Sequence, residues 1–157
     1  MYLDKTRIKQ SFAAASVTYD SVAGLQRTVG KELLHSVDVT KLTGTLLDLG
    51  CGTGFLTGEL LVHSNHETMI ALDIALSMLQ TTQSKLADKR DIIYVCADAE
   101  QLPLSGQSID SVFSNLALQW CRNLEAVFTG LKRALKPDGQ LVFSTFGPQT
   151  LQELKSA

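Results

Sequence analysis

Cysteine is scarce in this sequence. Its three copies, Cys51, Cys96 and Cys121, lie far apart, and none belongs to a C-x-x-C pair. A disulfide framework needs more cysteines and a structural zinc site needs closer ones, so neither accounts for the fold. We therefore predict no metal site and a reducing, cytoplasmic setting.

The sequence also lacks long hydrophobic runs and any marked excess of one charge. No apolar stretch approaches the ~18 residues of a membrane span, and the polar N-terminus, MYLDKTRIKQ, lacks the apolar centre of a secretory signal. Fourteen basic residues against sixteen acidic ones give a formal net charge of −2, whereas nucleic-acid binders usually carry a basic excess. We therefore expect neither a membrane nor a nucleic acid as a partner.

What the chain does contain is enough apolar sequence for a core. Hydrophobic residues make up 45% of its 157 residues and charged residues 19%, which is typical of a folded domain. Apolar positions have helical spacing from Ile8 to Ala15 and from Val22 to Leu34, with a polar break at 16–20 between them. We expect residues 1–40 to form a helical cap and residues 41–157 to form the main domain.

From Thr45 onward, candidate strands and helices alternate. The predicted strands cover residues 46–49, 69–72, 92–96, 109–114 and 139–146. The predicted helices cover residues 55–62, 75–86 (with Leu76, Leu79 and Leu86 on one side), 124–135 and 149–157. This alternation with short connections predicts an α/β fold, with a central parallel sheet of five strands and helices on both faces.

Polar residues recur where the predicted strands end. Asp48, Asp73, Asp98 and Asn115 each lie at or near the carboxyl end of one strand. Ligands of parallel α/β sheets bind beyond these ends, so we expect the four polar groups to converge on one rim.

A glycine-rich turn, Gly50-Cys51-Gly52-Thr53-Gly54, connects the first predicted strand to a helix. Glycine permits a sharp turn and close approach of a ligand, and the helix N-terminus adds free N–H groups. A dinucleotide fingerprint would need a third glycine at position 55, which is phenylalanine here, and no G-K-[ST] of a P-loop is present. The turn therefore favours a nucleoside ligand without a pyrophosphate, and a tight turn that binds nothing is the alternative.

Two of the acids fit a nucleoside ligand. A carboxylate at Asp73 can accept hydrogen bonds from both ribose hydroxyls. A carboxylate at Asp98 can accept from an adenine amino group, and the backbone of Ala99 can reach a ring nitrogen. On residue type alone, Asp73 could equally be a solvated acid and Asp98 a loop cap.

Ordered motifs give the chain a family resemblance. Leu46 to Gly54 (LLDLGCGTG), Asp73, Ala97–Ala99 and Leu135 to Leu141 (LKPDGQL) resemble the motifs of class I S-adenosylmethionine-dependent methyltransferases, over roughly residues 45–146. The resemblance implies a Rossmann-like fold and S-adenosylmethionine as the cofactor. The residues that it assigns to the cofactor are Asp48, Gly50, Cys51, Gly52 and Gly54 at the methionine end, Asp73, Ile74 and Met78 at the ribose, Asp98 and Ala99 at the adenine, and Asn115 and Leu116 beneath the sulfonium.

Flanking segments give a narrower resemblance, to the malonyl-acyl-carrier-protein O-methyltransferases of biotin synthesis. These segments are Phe12–Ala15, Thr18–Asp20, Leu25-Gln26, Leu118–Trp120 and Phe146–Leu151. The resemblance implies methylation of the free carboxylate of a malonyl thioester, with malonyl-acyl carrier protein as partner. Two alternatives stay open: another small-molecule acceptor, such as a carboxylic acid or a quinone-type carbon, and a module that binds S-adenosylmethionine without catalysis.

The implied reaction needs little acid–base chemistry. A carboxylate acceptor titrates near ~4 and is already ionised at pH 7, so no general base is required and we name no firm catalytic residue. Tyr19 is the candidate to close over the cofactor, with packing of the N-terminal helices as the equal alternative. We interpret Glu100 as solvent-facing, and likewise Gln26 and Gln119, for which orienting a substrate is the alternative. Trp120 is interpreted as a wedge between helix and sheet, with a substrate wall as its alternative.

The length of the chain bears on this resemblance. The family continues well beyond the fifth strand, with further strands and substrate-covering segments. We therefore expect the chain to be a fragment that ends after the fifth strand, with the cofactor half of the site present and one sheet edge exposed. The oligomeric state stays open.

Overall fold

The computed structural model describes residues 4–15, 19–147 and 150. Its α-helices are α1 (Lys5–Ala15), α2 (Tyr19–Val22), α3 (Gly24–His35), α4 (Phe55–His63), α5 (Leu76–Lys85) and α6 (Leu124–Ala134). Its strands are β1 (Thr43–Leu49), β2 (Asn65–Asp73), β3 (Ile92–Cys96), β4 (Ile109–Asn115) and β5 (Leu135–Ser144). Short 3-10 helices occupy Val39–Lys41, Ala99–Gln101 and Leu118–Trp120.

The strands form one sheet in the order β3-β2-β1-β4-β5, and every neighbouring pair is parallel. The predicted five-stranded parallel sheet is confirmed. The chain builds outward from β1 through β2 to β3, and then returns to place β4 on the other side of β1. This reversal opens a crevice beyond the carboxyl ends of β1 and β4, where ligands of such sheets bind.

Helices cover both faces of the sheet because the central strands are apolar on both sides. Leu46 and Leu47 are fully buried neighbours in β1 and point to opposite faces, as alternation along a strand requires. One cluster joins Leu47, Leu72 and Val112 to Val127 and Leu131 of α6. The other joins Leu46, Met69 and Phe113 to Leu33 of α3 and Leu60 of α4.

The N-terminal segment differs from its prediction. Tyr19 and Asp20 begin the short helix α2 instead of lying in a polar break, and α3 begins at Gly24 instead of Val22. Ala23, between the two helices, is buried and interrupts them. The part of the predicted break at 16–18 lies outside the described residues.

Two further elements differ in detail. In α5 the buried side consists of Met78, Leu79 and Thr82, whereas Leu76 is 54% exposed. Strand β5 covers Leu135–Ser144 rather than residues 139–146, and its ladder is irregular near its start. Ile109 pairs with Leu135 and Ser111 pairs with Gln140, so the extra residues bulge out of the ladder.

The remaining predictions concern the ends of the chain and the membrane. The predicted helix over residues 149–157 lies outside the described residues except for residue 150, which is in a turn. In the part of the chain that the structure describes, no helix combines the length and the hydropathy of a membrane span.

Candidate functional site

A cavity lies beyond the carboxyl ends of β1, β2 and β4, and we call it the main cavity. Ten of the residues predicted from sequence line it: Tyr19, Gly50, Gly52, Asp73, Ile74, Met78, Asp98, Ala99, Asn115 and Leu116. Residues that were not predicted to bind the cofactor complete the lining, and they include Lys5, Ile8 and Phe12 of α1 and Ala117. The crevice expected from the strand order therefore exists, and α1 lies against it.

The glycine-rich turn forms one wall of the main cavity. The amides of Gly50 and Cys51 donate to the carbonyl oxygen of Leu72 at 2.8 and 3.0 Å, which holds the turn against the end of β2. Gly52 has φ +56°, and a Cβ built there would meet no atom within 4 Å. The open space in front of Gly52 is a cradle that a side chain would fill, as expected where a ligand approaches the backbone.

Asp73 joins this turn to α5. Its Oδ2 accepts from the Gly52 amide at 2.9 Å, and its Oδ1 accepts from the Ala75 amide at 2.8 Å. Burial raises the pKa of Asp73 even though these backbone hydrogen bonds oppose the shift. Each carboxylate oxygen retains capacity for a second hydrogen bond, so Asp73 can accept from ligand hydroxyls in the main cavity.

Asp48 lies beneath the rim and does not line the main cavity. It is 1% exposed, and it accepts a hydrogen bond from Thr57 Oγ1 at 2.6 Å. Burial raises the pKa of Asp48 to about 7, with a further increase from Asp73, while the Thr57 hydrogen bond opposes the shift. Of the four polar residues expected on one rim, Asp73, Asp98 and Asn115 therefore line the main cavity, whereas Asp48 is buried beside it.

Two residues of the turn also lie away from the main cavity. Burial raises the pKa of the Cys51 thiol well above its usual value, which does not fit a nucleophile. Gly54 has φ +85°, and a Cβ there would lie 2.6 Å from Cγ2 of Thr82. Gly54 therefore serves the packing of the turn against α5.

A second cavity lies beside the glycine-rich turn. The residues that it shares with the main cavity are Tyr19, Gly50, Gly52 and Asn115. Its other lining residues include Asp20, Gln26, Arg27, Asp48, Cys51 and Thr53. The two cavities therefore adjoin each other along the four shared residues.

Gln26 is not solvent-facing, contrary to the expectation from sequence. Its Oε1 is buried, and it has no hydrogen-bond partner among the described residues. Its backbone carbonyl accepts from Asn115 Nδ2 at 2.8 Å, which ties α3 to the end of β4. Asn115 Oδ1 in turn accepts from Ser144 at 2.8 Å, so this asparagine joins α3, β4 and β5.

Helix α1 is fastened to the rim by Lys5. The Lys5 ammonium pairs with Asp98 at 2.5 Å and with Glu100 at 2.8 Å. Burial alone would lower the pKa of Lys5, but its hydrogen bonds to both carboxylates outweigh burial and raise it. Glu100 also accepts from the amides of Arg122 and Asn123, so its predicted exposure to solvent is wrong.

Trp120 lies at the mouth of the main cavity. It is 41% exposed, and its ring meets that of Phe12 edge-on, with centroids 5.4 Å apart at 88°. The predicted wedge between helix and sheet is therefore wrong, and the alternative, a wall of the cavity, describes its position. The sequence contained one sign of this contact, the helical spacing of Ile8 and Phe12. That spacing predicts an apolar face on α1 but does not show which residues the face covers.

Tyr19 stands where the two cavities meet. Burial raises the pKa of Tyr19, with further contributions from the carboxylates of Asp73 and Asp20. Asp20 anchors this segment, because it accepts from Thr53 Oγ1 at 2.7 Å and pairs with Lys85. The arrangement can enclose a nucleoside between α1, the glycine-rich turn and the strand ends, with the Tyr19 ring above it.

Comparisons with known proteins agree with this geometry. A family model described as "Methyltransferase domain" matches residues 47–143. Malonyl-[acyl-carrier protein] O-methyltransferase of Methylovorus sp. (strain MP688) is 44% identical over 99% of this chain and 55% of its own length. Biotin biosynthesis bifunctional protein BioHC of Cellvibrio japonicus (strain Ueda107) is 46% identical over 99% of this chain and 30% of its own length.

Solved structures show the same fold. Phosphoethanolamine N-methyltransferase 2 of Haemonchus contortus, solved in complex with S-adenosyl-L-methionine, aligns with a TM-score of 0.74 and 21% identity. The alignment covers 92% of this chain and 36% of that one. The chain spans about half the length of the malonyl-acyl-carrier-protein O-methyltransferase of Methylovorus.

Proposed function

The chain belongs to the methyltransferase domain family, and from that premise we propose that it binds S-adenosylmethionine and methylates the free carboxylate of a malonyl thioester on acyl carrier protein. The observation that carries the acceptor is the similarity, over 99% of this chain, to a malonyl-acyl-carrier-protein O-methyltransferase. Because the chain spans only part of that relative's length, the methyl-transfer activity and the acyl-carrier-protein partner are both part of the proposal.

The residues of the two cavities fit this cofactor. Asp73 offers carboxylate oxygens at the depth of the ribose, and the space at Gly52 admits a ligand against the backbone. The main cavity extends to Asp98 and Ala99, where an adenine ring would lie. The second cavity has room beside Gly50 for the amino-acid end, where a buried acceptor at Gln26 lacks a partner among the described residues.

S-adenosylmethionine, when bound, supplies a methyl group on a positively charged sulfur. The residues of this chain would hold the reactants in line, because displacement requires the acceptor oxygen, the methyl carbon and the sulfur to be collinear. Asn115 and Leu116 form the floor of the main cavity, and Asn115 is held by hydrogen bonds on both sides of its amide. A floor fixed in this way orients the reacting groups without a proton transfer.

Exclusion of water is the second task of the residues around the site. Phe12, Trp120 and Tyr19 form an aromatic group over the main cavity, with Phe12 contacting both of the others edge-on. The ionised acceptor is a better nucleophile once water is removed from it. We infer that this group and α1 close the site around the reacting carboxylate.

An assay with malonyl-acyl carrier protein and methyl-labelled S-adenosylmethionine tests the proposal. We expect labelled methyl ester on the malonyl group and none on acetyl-acyl carrier protein, which has no free carboxylate. The Asp73→Ala variant should lose most of the product through weaker cofactor binding.

Two results would contradict the proposal at different points. Binding of S-adenosylhomocysteine without any methyl ester on malonyl-acyl carrier protein would overturn the acceptor and leave the cofactor. Equal binding of S-adenosylhomocysteine by the wild type and by Asp73→Ala would overturn the assignment of the site.

A further inference from the structure

We propose that the side chain of Gln26 binds the ammonium group at the amino-acid end of the cofactor. The inference rests on the proposed function and assigns a recognition residue in the second cavity. Gln26 belongs neither to the ordered motifs of the core nor to the carboxyl end of a strand. The observation behind the inference is one buried oxygen atom, Oε1 of Gln26.

The position of Gln26 is fixed by its backbone. Its carbonyl oxygen accepts from Asn115 Nδ2 at 2.8 Å, and this asparagine lies at the carboxyl end of β4. The first turns of α3 are thereby held against the rim of the sheet. The backbone of Gln26 is thus fixed beside the second cavity, whose lining includes this residue.

The side-chain oxygen of Gln26 is left without a partner in this position. Oε1 is buried, and no described residue donates a hydrogen bond to it. Burial of an unsatisfied acceptor is costly, so such atoms are uncommon in folded proteins. Because Gln26 itself belongs to the lining of the second cavity, the missing donor indicates that one arrives with a ligand.

The surroundings of Gln26 favour a cationic donor. Asp48 and Asp20 line the same cavity, and the carboxylate of Asp73 is close enough to Asp48 to raise its pKa. Arg27 supplies a positive charge in this lining, and its Nη1 donates to the backbone oxygen of Asp20 at 2.7 Å. A cavity with an unmet acceptor, two acids and one arginine fits a zwitterion, with the ammonium at Gln26 and the carboxylate near Arg27.

The residues that the two cavities share indicate which zwitterion binds in the second cavity. Tyr19, Gly50, Gly52 and Asn115 line both cavities, so a nucleoside in the main cavity can place its 5′ substituent in the second. The substituent of S-adenosylmethionine ends in an α-ammonium and an α-carboxylate. The geometry therefore assigns the ammonium to Gln26 Oε1.

Calorimetry with trimmed ligands tests the proposal. The probes are S-adenosylhomocysteine, its decarboxylated analogue (which keeps the ammonium), its deaminated analogue (which keeps the carboxylate) and 5′-methylthioadenosine (which has neither). In Gln26→Leu, we expect the affinity for the first two to fall about 10- to 100-fold, as for the loss of a hydrogen bond to a charged group. The affinities for the last two should change less than about 3-fold.

Gln83→Leu is the matched control, because Gln83 is an exposed glutamine of α5 and receives the same substitution. All four affinities should stay at the wild-type values in this variant. Gln26→Glu should keep or increase the affinity for the ligands that carry the ammonium, because it retains an acceptor and adds a negative charge.

The results that would contradict the proposal can be distinguished from one another. An equal loss of all four ligands in Gln26→Leu would give Gln26 a structural role and overturn the proposal. A loss confined to the ligands that keep the carboxylate would also overturn it, by making the amide a donor to that group. Failure of the wild type to bind S-adenosylhomocysteine would overturn the proposed function, and this inference with it.

Discussion

The ammonium of Lys5 lies 2.5 Å from a carboxylate oxygen of Asp98, although 93 positions separate the two residues in sequence. This contact joins the first turn of α1 to the loop after β3. The other oxygen of Asp98 accepts from the Glu100 amide at 2.9 Å, which caps the 3-10 helix Ala99–Gln101. Lys5 therefore fastens the helix that covers the main cavity to a residue expected to bind adenine.

The first prediction concerns the covering helix. Lys5→Met should speed hydrogen exchange of the α1 amides by about 5-fold, because a partly buried ion pair worth about 1 kcal/mol is lost. Exchange measured by mass spectrometry on peptides from residues 4–15 reports this directly. Lys9→Met is the control, since Lys9 is an exposed lysine of the same helix. Equal exchange in the two variants would show that Lys5 does not fasten α1.

The second prediction concerns the anchor of Tyr19. Asp20→Ala removes the acceptor for Thr53 Oγ1 and the partner of Lys85, so the free energy of unfolding should fall by about 0.5–1.5 kcal/mol. Asp38→Ala is the control, because Asp38 makes only local, exposed contacts with Thr40 and Lys41 among the contacts described. Urea denaturation gives both values.

Measurement of S-adenosylhomocysteine binding shows whether Asp20 acts on the site or only on the stability of the fold. Release of Tyr19 from the boundary of the two cavities should weaken S-adenosylhomocysteine binding in Asp20→Ala, beyond any change in Asp38→Ala. Wild-type affinity in Asp20→Ala would mean that the anchor of α2 does not matter to the site.

The third prediction compares two glycines four residues apart. Gly54 has φ +85°, and its Cβ would lie 2.6 Å from Cγ2 of Thr82, so Gly54→Ala should destabilise the protein by about 2–4 kcal/mol. Gly58 lies within α4, and its Cβ would meet Cδ2 of Leu86 at an ordinary 3.6 Å. Gly58→Ala should therefore stabilise the protein by about 0.5–1 kcal/mol. Thermal and urea unfolding of both variants check the opposite signs.

The sequence predicted the sheet and most of the main cavity because both depend on local patterns. Short apolar runs that end in an acid placed Asp73 and Asp98 at strand ends, and parallel strands necessarily bring these ends together. Asp48 ends a similar run, LLDL, but this run is buried on both faces, and Asp48 lines the second cavity instead of the main one. A continuous apolar run was the available sign that every residue within it, including the acid, would be covered.

The contributions of the N-terminal helices could not be predicted in this way. Lys5 and Gln26 have the spacing and polarity of solvent-facing helical residues, and only packing against the rim gives them partners or buries them. Trp120 was misplaced for the same reason, since its position depends on where Phe12 of α1 lies. The surroundings of such side chains depend on tertiary contacts between distant elements, and local sequence patterns do not predict these contacts.

The last prediction uses the buried acid beneath the turn. Burial raises the pKa of Asp48 to about 7 in the folded protein, whereas an unfolded aspartate titrates near ~3.9. Between these values the folded state binds more protons than the unfolded state, so stability falls as the pH rises through this range. Below the lower value the group has no effect, and above the higher value the full destabilisation is present.

Asp48→Asn removes this titration and keeps an oxygen that can accept from Thr57 Oγ1. The free energy of unfolding of the variant minus that of the wild type should therefore increase by on the order of 1 kcal/mol per pH unit between about pH 4 and 7, and then level off. Urea denaturation at several pH values across this range measures the difference. The Thr57 hydrogen bond favours the ionised Asp48 carboxylate, so its loss in Thr57→Val should raise the pKa of Asp48 further. In the Thr57→Val background, the same stability difference should therefore keep increasing to a higher pH. A difference that stays constant with pH would show that Asp48 is ionised in the folded protein at the same pH as in the unfolded chain.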